Sequence, residues 1–111
     1  MKIAAYSRKN GVNDVDFLHH ALWFMKIKGV QLVIHQNLNA ENKLSVIIDG
    51  CESFETYQDL KEQSPIDFYF SFGGDGSFID AANIIADLEI PLVGINTGRI
   101  GFLTSITKNS F

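Results

Sequence analysis

Apolar residues run along this chain in two rhythms. Ile3 to Tyr6 is a short apolar run that predicts an opening strand, and Ser7 to Asn13, polar with a glycine at position 11, predicts the loop after it. From Asn13 the period changes: Val15, Leu18, Leu22 and Met25 form one stripe, widened by Phe17, Ala21 and Phe24, which is the spacing of a helix. Asn13 or Asp14 can cap its free N–H groups. Gly29 follows Lys26 and Lys28, whose charges suit the negative end of the helix dipole. Val30 to Ile34 predicts a second strand, since Leu32, Val33 and Ile34 are too continuous for a face open to water.

The segment from His35 to Pro65 has no clear period. Asn37, Asn39, Glu41 and Asn42 predict loop, Leu44 to Ile48 a brief strand, and Asp49-Gly50 a turn. Phe54 to Leu60 predicts a short helix that stops before Ser64-Pro65, because a residue preceding proline is pushed out of the helical region. Periodicity returns at Ile66 to Phe72, an aromatic strand that runs into Gly73-Gly74-Asp75-Gly76-Ser77. Phe78, Ile79, Ala81, Ala82, Ile84, Ile85 and Leu88 then carry a second helical pattern up to Glu89, and Ile90 to Ile95 a further strand with Pro91 at its start, where a missing N–H costs least. Strands that alternate with helices and are themselves almost unbroken apolar runs predict an α/β domain, Rossmann-like and three-layered, with a mostly parallel sheet and helices on both faces. Right-handed crossovers would set the loops after Phe72 and after Ile95 at one edge of that sheet, the carboxyl edge, where ligands bind in such folds.

At 111 residues the chain has room for one domain, and 46% hydrophobic against 20% charged residues gives it the material for a core. Nine Lys and Arg against thirteen Asp and Glu leave a net charge of −4 with no basic cluster, which argues against nucleic acid as a partner. The apolar run at the N-terminus is too short for a signal sequence, and no stretch approaches the roughly 20 apolar residues of a membrane span, so no membrane partner is expected. Cys51 is the single cysteine and excludes an internal disulfide; with it, the expectation is a cytoplasmic protein. His19, His20 and His35 lack ligand-like spacing, so no metal-binding residue is assigned.

Three glycines within four positions, followed by Ser77 and a helix, let the backbone turn tightly and leave N–H groups open to a phosphate. A purely structural strand-to-helix turn is the competing reading. The turn lacks the Lys of a Walker A sequence and the spacing of the dinucleotide fingerprint. Asp75 is the unusual member, because a carboxylate would repel a phosphate unless it did chemistry: accepting the proton of an attacking hydroxyl, or holding a phosphate-bound magnesium ion. Against that stands an Asp that only bonds its own turn. Asp80, one turn on, could assist a metal or be an exposed helical side chain. In the second candidate loop, Asn96 and Thr97 can bond ribose or phosphate, Arg99 can meet phosphate through its fork, and Phe102 can lie against a purine or pack in the core.

Gly73-Gly74-Asp75-Gly76-Ser77, followed nineteen residues on by Asn96-Thr97-Gly98-Arg99-Ile100-Gly101-Phe102-Leu103, resembles the NAD kinases. The resemblance implies transfer of the terminal phosphoryl group of ATP, or in some members polyphosphate, to the 2'-hydroxyl of the adenosine ribose of NAD, giving NADP, with Mg2+ on the donor. It implies that Asp75 is the base that activates the hydroxyl, that Gly73, Gly74, Gly76 and Ser77 help hold phosphates, that Phe102 stands near the adenine and that Asn96 and Arg99 lie in the same region. It covers residues 1–111 as the N-terminal domain of such an enzyme, with a strand-rich NAD-binding domain, through which members form homo-oligomers, still to follow. The fragment by itself is then expected to be inactive or nearly so. Diacylglycerol kinase-like enzymes and phosphofructokinases share the Gly-Gly-Asp-Gly loop, and a nucleotide-binding module without turnover is the non-enzyme alternative. Asn96 to Leu103 favours NAD kinase over the other two kinases.

Overall fold

Five parallel pairings assemble the sheet. A computed structural model of the chain describes residues 1–8, 15–39, 44–63, 65–96 and 106–107. Strand β1 (Lys2–Tyr6) leads through helix α1 (Val15–Ile27) to β2 (Gln31–His35), and the short helices α2 (Gln36–Asn39) and α3 (Ser45–Ile48) precede β3 (Glu52–Phe54). Helix α4 (Tyr57–Glu62), β4 (Phe68–Gly73), α5 (Asp75–Ile85), β5 (Leu92–Asn96) and β6 (Ile106–Thr107) complete the order. The strands lie side by side as β3-β2-β1-β4-β5-β6 and every neighbouring pair is parallel. The direction of strand succession therefore reverses between β1 and β4, the switch point of a Rossmann-like sheet.

Alternation along the strands divides the core into two layers. Ile3, Ala5, Leu32, Ile34 and Phe72 pack with Leu18, Leu22 and Met25 of α1 and with Leu38, Leu44 and Ile47. Ala4, Tyr6, Val33 and Tyr69 point the other way, to Leu60 of α4 and Ala81 and Ile85 of α5. Leu18 and Leu22 are fully buried, and such a side chain contributes roughly 1.5–3 kcal/mol by leaving water. The helix ends in a Schellman turn, with the Val30 N–H on the Met25 carbonyl and the Gly29 N–H on that of Lys26, both 3.1 Å.

Several details depart from the sequence reading, and the first is that Asn37 and Asn39, expected in a loop, lie in the single turn of α2. Residues 44–48 form a helical turn instead of a strand: Leu44 and Ile47 are buried while Val46 is 83% exposed, a spacing of three that only a helix produces. Strand β3 escaped the pattern because only Phe54 of its three residues is buried. The helix expected over 54–60 begins at Tyr57, where Thr56 and Asp59 form a capping box. Phe24, expected on the buried stripe of α1, is 41% exposed, with the Lys28 ammonium 5.5 Å from its ring.

Candidate functional site

Parallel pairing of β4 and β5 sets Gly73 directly opposite Asn96, so both sequence motifs begin side by side at the carboxyl edge. The first is less a loop than a junction. Gly73 is the last residue of β4, Gly74 caps the helix, and Asp75, Gly76 and Ser77 are its first turn, although the apolar pattern predicted a start at Phe78. Gly73 has φ 142, a conformation that a side chain rarely adopts, which lets the chain leave the strand and enter the helix within one residue. The Phe78 N–H reaches back to the Gly74 carbonyl at 3.2 Å. That is the first hydrogen bond of the helix, and the N–H groups of a helix's opening turn are the arrangement that favours an anion.

Side chains within the turn take different positions. Among the described residues, a methyl group at Gly74 would meet nothing within 4 Å. Asp75 is half-buried in the first turn. Ser77 is only 4% exposed. Asn96 ends β5 in register with Gly73. Thr97, Arg99 and Phe102 lie outside the described residues.

A cation comes from the far side of the switch point. Arg8, just past the end of β1, pairs through Nε with Asp80 Oδ2 and through Nη2 with Oδ1 at 3.3 Å. Asp80 also accepts from the Tyr6 hydroxyl at 3.1 Å, which anchors it to the core. The Arg8 hydrogen bond, helped by Tyr6, holds the Asp80 carboxyl below the ordinary carboxylate range. Burial, then the Asp80 charge, pushes Tyr6 up to about 12. Asp80 is thus tied into the fold through both of its carboxylate oxygens and does not stand free on the helix surface. Arg8 and Asp80 are 72 positions apart and no sequence spacing relates them; only the crossover that makes β1 and β4 neighbours brings them together.

Behind Arg8 the edge is braced by β2. His35 is 4% exposed and packs edge-on against Tyr6 and Phe54, with ring centroids 4.6 and 5.0 Å away. Its Nδ1 accepts the Asn37 N–H at 3.0 Å, and the Asn37 side-chain amide donates to the Ser7 carbonyl at 3.1 Å. Burial lowers the His35 pKa, consistent with a neutral ring that accepts at Nδ1. A cavity of about 300 Å³ lined by Lys26, Gln31, Gly50 and Cys51 lies where β2 begins, at the amino edge and away from this chemistry. Among the described residues no three His, Cys, Asp or Glu side chains converge as a metal cluster, and no helix is long and apolar enough to cross a membrane.

The model of the ATP-NAD kinase N-terminal domain family matches residues 17–111. A curated NAD kinase from Christiangramia forsetii is 30% identical over 112 aligned residues, covering 97% of this chain and 36% of that protein. One from Blochmanniella pennsylvanica is 34% identical over 110 residues, covering 97% of this chain and 33% of that protein. The chain therefore spans about a third of the length of the relatives it matches.

Proposed function

Because this chain belongs to the NAD kinase family, we propose that the full-length protein phosphorylates the 2'-hydroxyl of the adenosine ribose of NAD, using ATP or polyphosphate as donor. The observation that carries the reading is the register of Gly73 with Asn96, which gives one carboxyl edge both a phosphate-binding turn with a carboxylate in it and the start of the second motif. Asp75 takes the proton of the ribose hydroxyl as its oxygen attacks the terminal phosphorus; the new P–O bond forms as the bond to the rest of the donor breaks, giving NADP and, from ATP, ADP. Backbone N–H groups of Asp75, Gly76 and Ser77 face the phosphates, with Gly73 and Gly74 keeping side chains out of their way. Asn96, Arg99 and Phe102 are assigned to the NAD side, Phe102 beside the adenine.

Magnesium suits such a site when it is held by water and substrate phosphates, which leaves Asp75 the role of base. When bound it offsets the charge on the donor phosphates. Residues 1–111 are assigned as an N-terminal domain that completes its site with a following strand-rich domain, through which the subunits associate. Alone, this stretch is expected to turn over little or not at all.

The test is NADP formation by the full-length protein given NAD, magnesium and ATP or polyphosphate. Formation from either donor supports the reading. Ligand binding without any NADP would support the non-catalytic nucleotide-binding module in its place.

A further inference from the structure

We propose that Arg8 is a donor-binding residue: held by Asp80, it presents its guanidinium to the phosphate chain of the phosphoryl donor across the switch point. This rests on the kinase reading above and adds to it, since Arg8 and Tyr6 both precede the segment matched by the family model, which starts at Phe17.

Position comes first. The residues leaving β1 and β4 flank the point where strand order reverses, and in such sheets the crevice between them is where ligands sit. Arg8 comes from one side of that crevice and the turn 73–77 from the other.

Geometry then fixes which edge of the guanidinium is presented. The Asp80 carboxylate takes Nε and Nη2. Nη1 lies over the first turn of α5, so close that a methyl group on Gly76 would stand 2.5 Å from Nη1 and 2.8 Å from Cζ. The cation is therefore laid on the same turn that the kinase reading assigns to the phosphates. Glycine at position 76 is what allows the close approach.

The arrangement has little to offer folding. The Arg8 side chain is 55% exposed, and an exposed ion pair contributes little to stability. Asp80, by contrast, is tied to the core by the Tyr6 hydroxyl, which is a firm anchor for a long side chain. An arginine fixed in advance beside a phosphate-binding turn has lost its conformational freedom before the ligand arrives. Asp80 is a positioning residue in this scheme, acting only through Arg8. Lysine cannot replace the arginine, because a single ammonium cannot hold the carboxylate and the phosphate with separate edges.

The experiment titrates full-length wild type, Arg8→Gln, Arg8→Lys, Asp80→Asn and the Arg8→Gln/Asp80→Asn double variant with inorganic tripolyphosphate, with ATP and with NAD, all with magnesium, by calorimetry. Arg8→Gln is expected to weaken tripolyphosphate and ATP alike by about tenfold or more, the loss of one charge-assisted contact, and to leave NAD affinity within about twofold. Arg8→Lys should lose nearly as much, Asp80→Asn less, and the double variant no more than Arg8→Gln alone. Unchanged tripolyphosphate affinity in Arg8→Gln, no tripolyphosphate binding by wild type, a loss confined to ATP, or a loss that falls on NAD would each overturn the proposal. Thermal melts of the variants within a few degrees of wild type establish that folding is intact. Wild type that binds the donor as expected yet forms no NADP would count against the kinase reading and leave Arg8 as a polyphosphate-chain contact.

Discussion

Gly73 and Asn96 stand opposite one another as register partners where β4 and β5 end. Their positions in the sequence are far apart, yet the parallel pairing aligns the exits of both strands, and each exit begins a motif. A shift of one residue in this pairing would turn every side chain of β5 to the other face of the sheet, so Ile95 would leave the α1 layer of the core for the opposite face. Burial of Ile95 thus keeps the two halves of the candidate site level with each other.

Gly73→Ala tests the junction. With φ 142 the position disfavours any side chain, and the substitution should cost about 1–3 kcal/mol in chemical denaturation. Donor binding should fall with it, because relaxation of the strain moves the first turn of α5. A variant as stable as wild type, with unchanged donor binding, would mean that the turn does not depend on this backbone conformation.

Gly76→Ala separates stability from binding. Position 76 lies in a helix, where alanine is preferred by up to about 1 kcal/mol. What the new methyl group meets is the flexible end of Arg8, which can swing away. The expected outcome is unchanged or slightly higher resistance to denaturant together with donor affinity reduced about tenfold, measured by titration with tripolyphosphate. Lower stability with unaltered donor affinity would contradict the assigned role of this contact.

His35 should give the fold a pH dependence. Its pKa is lowered by burial, so below about 6.5 the unfolded chain binds a proton that the folded protein resists. Its contribution is complete above that pH and is lost as pH falls through 6.5 toward the lowered folded value. The carboxyls of Asp59 and Asp80, held low by hydrogen bonds, lose theirs only in more acid solution. Denaturation midpoints should therefore drop between about pH 7.5 and about pH 5, and His35→Phe, which keeps a ring between Tyr6 and Phe54, should flatten that slope. An equal slope in both proteins would remove His35 from this account.

Where side chains alternate or recur with a clean period, the sequence was a reliable guide. The stripe of Leu18, Leu22 and Met25 and the aromatic run into Gly73 both appear as expected, and with them the parallel sheet and its two helical layers. Local readings failed where composition and period disagreed. Leu44 to Ile48 reads as a brief strand in sequence, while the burial of Leu44 and Ile47 follows a helix. The Thr56 and Asp59 pair did mark the start of α4, but as a cap whose signal is chemical and not periodic. In the candidate site, Asp75 and the glycines were legible because their chemistry is contiguous. Arg8, Tyr6 and Asp80 were not, because their association depends on which strands become neighbours.

The central claim is that Asp75 acts as the base in a phosphoryl transfer to NAD, and the most direct measurement is the rate of NADP formation by full-length wild type and by Asp75→Asn at saturating NAD and ATP. Asparagine keeps the size of the side chain and removes its ability to take a proton. The account predicts that wild type forms NADP, that Asp75→Asn is slowed by roughly 10²–10⁴-fold, the usual range for a lost general base, and that both bind NAD and ATP with similar affinity. Turnover by Asp75→Asn at the wild-type rate would contradict it.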